Sequence, residues 1–264
     1  MKRITVFLIF ITFMSVNISC RSLDKENGSE PKVIGGESAS ELFSAVDILY
    51  VGSWTCSGTF IDPTHFLTAA HCLREDSGID LTTDKIHVGN LREQAQRIAI
   101  HPNFGKGPRF DLDYDIAMVT FKEKPKRPFT KLSTMPARLD DRVTLVGFGR
   151  IVQDSQSGQS GQSFLEILGF SRKTYGNNRI IEFQGTKIFI GNKNPRPSFD
   201  AVLLGKGDSG GGWFDARGDL LAVSSAGTST TSQAVLVTAR AIAEFIAQER
   251  EGNVQEREGN AQVP

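Results

Sequence analysis

Short apolar runs separated by turn-forming residues follow one another from about residue 33 to residue 237. Runs such as VDILYVG, DIAMVTF, RVTLVGFG and AVLVTA are rich in Val, Ile, Phe and Thr and partly alternate with polar residues, which is typical of β-strands. Gly, Pro, Asn and Asp recur in the separators, for example DPT, PNFGKG and DARGD, as expected of turns. The pattern predicts an all-β domain of the sandwich or barrel type.

The C-terminal end of the chain has a different pattern. Residues 238–250, TARAIAEFIAQER, carry apolar side chains at the spacing of an amphipathic α-helix. The sequence EREGN then occurs twice, and residues 249–264 contain almost no apolar side chains. We interpret 249–264 as a charged, duplicated and disordered tail.

The N-terminal segment is typical of an export signal. Residues 1–20 begin with MKR and continue as a mostly apolar run that is shorter than the roughly 20 apolar residues of a membrane-spanning helix. The run ends in NISC at Cys20, which resembles a bacterial lipoprotein signal, whose cysteine becomes the acylated first residue. Two alternatives stay open: membrane attachment through Cys20, or an ordinary signal peptide. Residues 21–32 are polar and are interpreted as a linker or pro-segment.

Charge and histidine content narrow the function classes. Thirty Lys and Arg balance thirty Asp and Glu, and without a basic tract nucleic-acid binding has little support. The four histidines are scattered, and none has a second His or a Cys at metal-ligand spacing, so no metal is expected. Cys56 and Cys72 lie in the body of the chain, and an exported protein can keep them oxidised as a pair. We therefore predict an extracytoplasmic protein, secreted or periplasmic.

A glycine-rich stretch, LLGKGDSGGGW at residues 203–213, surrounds Ser209 with five glycines. Glycine permits backbone angles and close approaches that other residues do not. The pattern G-x-S-x-G also occurs in α/β-hydrolases, but there the histidine follows the serine, and here the last histidine is His101. In this chain His71 in LTAAHC comes first, Asp115 in DYDIAMVTF follows and Ser209 comes last. Chymotrypsin-type enzymes have the same order of histidine, aspartate and serine.

Four motifs in this order resemble the trypsin-like, chymotrypsin-fold serine protease family in its bacterial exported form. They are VIGG at Val33, LTAAHC at His71, DIAMV at Asp115 and GDSGGG at Ser209. The resemblance covers roughly residues 33–248. It implies two six-stranded antiparallel β-barrels, split near residues 130–140, and a C-terminal α-helix. It also implies a serine endopeptidase that acts on protein or peptide substrates without a cofactor.

The resemblance assigns a role to each residue of the motifs. His71 takes the proton of Ser209 and later gives it to the leaving amine, while Asp115 holds the imidazole in the right tautomer. The backbone N–H groups of Gly207 and Ser209 form the oxyanion hole. Cys56 and Cys72 form the one family disulfide that this chain keeps.

The resemblance further implies a zymogen that an activating protease cuts after Lys32. The new N-terminus at Val33 then folds inward and pairs with Asp208, since a buried ammonium and a buried carboxylate are tolerable only as a pair.

Substrate preference is where the chain departs from the family. Leu203 aligns with the floor of the primary specificity pocket, where trypsins carry aspartate, so cleavage after Arg or Lys is not expected. Leu204 and Gly205 change the wall of this pocket, and Ser224 in SSAG is a further substrate-binding candidate. The prediction is a preference for small or apolar residues. Two alternatives stay open: a protease-fold binding protein without turnover, and an esterase acting on small acyl substrates.

Overall fold

The computed structural model describes residues 37–38, 43–75, 77–90, 92–106, 112–124, 126–149, 172–191 and 200–260. The predicted signal at 1–20 with Cys20, the linker at 21–32 and the predicted new N-terminus at Val33 lie outside the described residues. The strands are β1 Glu37–Ser38, β2 Val46–Val51, β3 Trp54–Phe60, β4 His65–Thr68, β5 Ile86–Val88, β6 Glu93–Gln94, β7 Arg97–Ile100, β8 Ala117–Thr120, β9 Arg142–Gly147, β10 Thr174–Gln184, β11 Lys187–Gly191, β12 Gly212–Phe214, β13 Leu220–Gly227 and β14 Thr231–Leu236. An α-helix, α1, spans Arg240–Asn260.

The first sheet contains the strands from the N-terminal half, in the order β6-β5-β2-β3-β4-β8-β7 with antiparallel neighbours. Its edge strands β6 and β7 are consecutive in the chain. The two residues between them bridge the edges, because Ala95 N–H donates to Ile86 O and Gln96 N–H donates to Thr120 O. The sheet is therefore a half-barrel whose two edges are joined by the chain itself.

The second sheet closes completely. Its strands follow the ring β9-β10-β11-β14-β13-β12, and the additional pairing of β10 with β9 completes a six-stranded antiparallel barrel, to which β1 adds at its edge. The predicted fold class is thus confirmed: two barrel-like antiparallel sheets and a C-terminal helix. The difference from the prediction is that only one of the two barrels closes through strand pairing.

A single apolar cluster joins the two sheets to the helix. The first sheet contributes Ile48, Leu67 and Met118, the second contributes Val146 and Val223, and α1 contributes Ile242, Phe245 and Ile246. Burial of apolar surface at about 25 cal/mol per Å² makes such a shared core the main source of cohesion between the sheets. The two sheets are therefore held in a fixed position relative to each other, and so are the loops that connect their strands beside this core.

The C-terminal helix packs against the loop that precedes β8. The ring of His101 stacks on Tyr114 at 4.7 Å between centroids and lies 5.0 Å from Phe245 of α1. Arg97 of β7 pairs with Glu249 of α1 at 2.6 Å. Since Tyr114 directly precedes Asp115, the helix helps to hold the segment that carries this carboxylate.

The helix is longer than the sequence pattern predicts. It runs to Asn260, so both EREGN copies, which we expected in a disordered tail, lie in the helical segment. Glu, Gln and Arg have high helix propensity, which favours continuation beyond the apolar stripe. Among the described residues, no helix combines the length and the apolar character needed to cross a membrane.

Candidate active site

Three side chains that are distant in sequence meet where the two sheets join. His71 lies in a short 3-10 turn after β4, Asp115 lies just before β8, and Ser209 lies in the glycine-rich turn before β12. His71 Nδ1 is 2.7 Å from Asp115 Oδ2, and His71 Nε2 is 2.9 Å from Ser209 Oγ. A carboxylate only accepts, so Nδ1 carries the proton and donates to Asp115, which leaves Nε2 to accept from the Ser209 hydroxyl.

The Asp115 carboxylate is fixed by three donors. It is fully buried, and it accepts the His71 backbone N–H at 2.9 Å in addition to the imidazole N–H. The Ser225 hydroxyl donates to Asp115 Oδ2 at 2.6 Å. Buried charged groups require such partners, so the orientation of this carboxylate is set by its surroundings.

The electrostatics of His71 suit a base. Burial alone would lower the pKa of the His71 imidazole, but the charge of Asp115 and its hydrogen bond outweigh burial, so the pKa is raised above its usual value. The His71 side chain remains 37% exposed, whereas Asp115 is 0% exposed. The imidazole is therefore held at Nδ1 by the carboxylate, while the rest of the ring remains partly exposed to solvent.

The turn around Ser209 is clamped through its backbone. Ser57 N–H donates to Ser209 O at 2.8 Å, and the Ser57 hydroxyl donates to Gly207 O at 2.9 Å. Gly207 has φ +98° and Gly210 has φ +83°, both in the region that favours glycine. A Cβ at Gly210 would overlap Ser57 O and Thr68 Oγ1. These contacts explain why the turn is built from glycine.

Two backbone N–H groups in the turn of Ser209 are available to a ligand. Within the described part of the chain, the N–H groups of Gly207 and Ser209 have no hydrogen-bond acceptor, while the next N–H, that of Gly210, donates to Ser224 O at 2.8 Å. Unsatisfied backbone donors are rare unless water or a ligand serves them. This pair is the arrangement that could receive a developing oxyanion.

The side chain of Asp208 points from the turn into the interior of the protein. Its carboxylate is fully buried and accepts the backbone N–H groups of Gly149 and Gly205, each at 2.7 Å. A Cβ at Gly147 or Gly149 would overlap this carboxylate, so the motif VGFG is needed for the close approach. The predicted partner of Asp208, Val33, lies outside the described residues.

A disulfide joins the 3-10 turn that carries His71 to strand β3. Cys56 and Cys72 are bonded, with their Cα atoms 6.4 Å apart. The pairing that the sequence indicates is thus present in the structure. Because Cys72 is adjacent to His71, the bond limits how far the turn can move from the sheet.

Replacing both Cys56 and Cys72 with serine is expected to lower the free energy of unfolding by roughly 3 kcal/mol, because the cross-link closes a loop of about 15 residues. Urea denaturation of the two proteins measures the difference. Wild-type protein unfolded in a reducing agent serves as control and should match the double variant. A difference of less than about 1 kcal/mol would show that the cross-link adds little stability.

The two predicted specificity residues lie in the interior of the second barrel. Leu203 is 1% exposed, in a cluster with Ile180, Ile190 and Trp213. Ser224 is also 1% exposed, and its Oγ accepts the Trp213 indole N–H at 2.9 Å. The next residue, Ser225, is the one that contacts the Asp115 carboxylate, and the sequence reasoning missed it. Substrate binding by Leu203 and Ser224 stays a prediction.

The fold and this geometry together define a class: a hydroxyl, an imidazole and a buried carboxylate in hydrogen-bond contact are the constellation of serine hydrolases. The sequence model of the Trypsin family matches residues 33–246. The chain therefore belongs to the trypsin family of serine-type endopeptidases.

Individual relatives are moderately similar. Scolexin B of Heliothis virescens is 29% identical over 192 residues, which cover 65% of this chain and 64% of that protein. Chymotrypsin-like elastase family member 1 of Macaca fascicularis is 26% identical over 232 residues, covering 78% of this chain and 80% of that protein.

Two solved structures share the fold. A Glu endopeptidase in complex with MPD has a TM-score of 0.63 at 15% identity, covering 83% of this chain and 99% of its own. Mouse neuropsin has a TM-score of 0.55 at 15% identity, covering 78% of this chain and 95% of its own. At this identity the two structures support the fold and no finer property.

Proposed function

We propose that the protein is an exported serine endopeptidase that hydrolyses peptide bonds through His71, Asp115 and Ser209. The proposal depends on one observation: a continuous hydrogen-bonded chain leads from Ser209 Oγ through the imidazole to the buried Asp115 carboxylate. A serine hydroxyl is a weak nucleophile at neutral pH and needs such an adjacent base.

The geometry supports the following sequence of steps. Ser209 Oγ attacks the carbonyl carbon of the scissile bond while its proton passes to His71 Nε2, and Asp115 stabilises the resulting imidazolium. The N–H groups of Gly207 and Ser209 bind the oxyanion, each contributing about 3 kcal/mol to transition-state stabilisation. His71 then protonates the leaving amine. Water, deprotonated by the same imidazole, releases the acyl group and restores the Ser209 hydroxyl.

A fluorophosphonate probe tests this proposal directly. The mature protein should be labelled at Ser209, and it should also cleave a protein substrate such as casein. Labelling with hydrolysis of small esters but not of peptides would indicate the esterase alternative. No labelling of folded protein would indicate a binding protein without turnover, and would overturn the proposal.

Activity is expected to rise with pH through a midpoint above 6.5, the ordinary value of an imidazole, because the pKa of His71 is raised and only the neutral form accepts a proton. The measurement is kcat/KM from mildly acidic to mildly alkaline pH. Denaturation followed over the same range provides the control that the fold persists. A midpoint below 6.5 would contradict the arrangement of His71 and Asp115.

The zymogen is a second part of the proposal. Cleavage after Lys32 would give Val33 a free ammonium, and a carboxylate that is buried against the turn of Ser209 is a suitable partner for it. The cut would thus stabilise the turn around Asp208 in the arrangement that the oxyanion hole needs. N-terminal sequencing of active material tests this: a start at Val33 supports it, and activity in chains that begin elsewhere overturns it.

We also propose export, with the chain either released or anchored through Cys20. Fractionation of cells that express the wild type and Cys20→Ser separates the two outcomes. Detergent-dependent recovery that is lost in the variant supports acylation, and equal release of both proteins supports an ordinary signal.

A further inference from the structure

Ser57 of strand β3 binds the carbonyl groups of both residues whose N–H groups are available to a ligand. The Ser57 hydroxyl donates to Gly207 O at 2.9 Å, and the Ser57 backbone N–H donates to Ser209 O at 2.8 Å. Gly207 and Ser209 are also the two residues whose N–H groups could receive an oxyanion. Ser57 therefore holds the carbonyl end of each residue that offers a donor to the site.

The Ser57 hydroxyl is held in one orientation by two backbone partners. Besides donating its proton to Gly207 O, it accepts the Phe148 backbone N–H at 2.8 Å. A carbonyl only accepts and a backbone N–H only donates, so the direction of each hydrogen bond is settled. Ser57 is 0% exposed, which keeps bulk water away from these contacts. The hydrogen bond to Gly207 is therefore a fixed part of the protein interior.

The same hydroxyl connects the glycine-rich turn to the segment after β9. Phe148 precedes Gly149, whose N–H donates to the buried Asp208 carboxylate at 2.7 Å. Gly149 also lies against Gly207, since a Cβ on Gly207 would stand 3.2 Å from Gly149 Cα. Glycine has the greatest backbone freedom, so the orientation of the Gly207 N–H depends on the contacts of its neighbours. Ser57 provides the side-chain contact among them.

We propose that Ser57 is a positioning residue of the oxyanion hole, whose hydroxyl holds the Gly207 backbone so that the Gly207 N–H points at the developing oxyanion. The inference rests on the proposed function, because it concerns the transition state of the same reaction. Preorganised donors stabilise that state because they need no reorientation during the reaction. Every residue type except proline supplies a backbone N–H, so only the hydroxyl depends on the serine.

Ser57→Ala removes the hydroxyl and keeps the backbone N–H. On a peptide that the wild type cleaves, we expect kcat to fall about 10- to 100-fold, because complete loss of an oxyanion-hole donor costs roughly 10²- to 10³-fold and here the donor is only misaligned. KM should change less than about threefold, because the oxyanion exists only in the transition state. The kinetics are compared at a temperature at which both proteins are folded.

A trifluoromethyl ketone built on the same peptide gives a readout that a merely structural role would not move. Ser209 Oγ adds to the ketone carbon, its proton passes to His71 Nε2, and the former carbonyl oxygen becomes the oxyanion of a hemiketal. The pH dependence of the ¹³C signal reports the pKa of this hemiketal hydroxyl. A tenfold loss of oxyanion stabilisation raises that pKa by about 1, so we expect a rise of about 1 to 2 in Ser57→Ala.

Thr59→Val is the matched control. Thr59 lies two residues further along the same strand and is also 0% exposed, and within the described residues its hydroxyl has no hydrogen-bond partner. Loss of this hydroxyl should leave kcat and the hemiketal pKa at their wild-type values. A folded Ser57→Ala with wild-type kcat and hemiketal pKa overturns the inference. An equal fall of kcat in Thr59→Val also overturns it, because any change in β3 would then disturb the site.

Ser57→Gly removes the same hydroxyl and takes the place of Ser57→Ala if that variant does not fold. If neither variant folds, Ser57 serves the fold instead of the oxyanion hole, and the inference is wrong. Fluorophosphonate labelling separates this failure from failure of the proposed function. Labelling of wild-type Ser209, with unchanged kinetics in the Ser57 variants, overturns only the positioning role. Absence of labelling in the wild type overturns the nucleophile itself.

Discussion

Replacing Ser209 with alanine is expected to lower kcat about 10⁶-fold while the protein stays folded, because the nucleophile and the His71 base act as one unit. The remaining rate would come from substrate binding and from the N–H groups of Gly207 and Ser209. Backbone donors are retained in the variant, so KM should change far less than kcat. Initial rates on a peptide substrate, with titration of active sites in the wild type, measure the loss.

Ser133→Ala is the control for removing a serine hydroxyl. The Ser133 hydroxyl is also buried, but it donates to Asp215 instead of a group of the candidate site. Its removal should affect stability and leave kcat within about twofold, as for a change outside the reacting groups. A folded Ser209→Ala that retains a tenth of wild-type activity would mean that the reaction does not pass through this hydroxyl.

Much of the candidate site could be predicted because the residue types that it needs occur in short, recognisable sequence motifs. A turn with positive φ angles and close backbone contacts requires glycine, and five glycines lie near Ser209. The order of His71, Asp115 and Ser209 then distinguishes this fold from other serine hydrolases. The chain of contacts through the three residues lies where those motifs indicate.

Ser225 shows where sequence reasoning reaches its limit. Successive residues of a strand point to opposite faces, so a shift of one position exchanges a core residue for a residue of the site. Ser224 and Ser225 are identical in type, and β13 has a register irregularity between Ser224 and Ala226. Only the three-dimensional pairing reveals that Ser224 bonds to Trp213 and Ser225 to Asp115.

The closure of the sheets depends on contacts between distant segments. No local sequence pattern indicates that Ala95 and Gln96 bridge the two edges of the first sheet. Sequence reasoning could identify Leu203 as a departure from trypsins, but it could not show that this side chain lies in the core of the second barrel.

Replacing Asp115 with asparagine is expected to lower kcat about 10⁴-fold at neutral pH, because an amide no longer holds the proton on Nδ1 of His71. The asparagine NH₂ group would have to face either the imidazole or the donors that now serve the carboxylate, the Ser225 hydroxyl and the His71 backbone N–H. Donors would then meet donors, and the imidazole would adopt the tautomer that cannot accept the Ser209 proton.

The pH profile separates this role from general damage. The carboxylate raises the pKa of His71, so its loss should shift the midpoint of kcat/KM to lower pH, in addition to reducing the plateau. Ser225→Ala removes one donor to the same carboxylate but keeps its charge, so we expect a smaller loss in kcat and a midpoint that does not move to lower pH. Ser224→Ala, one residue away and bonded to Trp213 instead, should leave the midpoint in place. If Asp115→Asn lowered activity without moving that midpoint, Asp115 would support the fold and not the base.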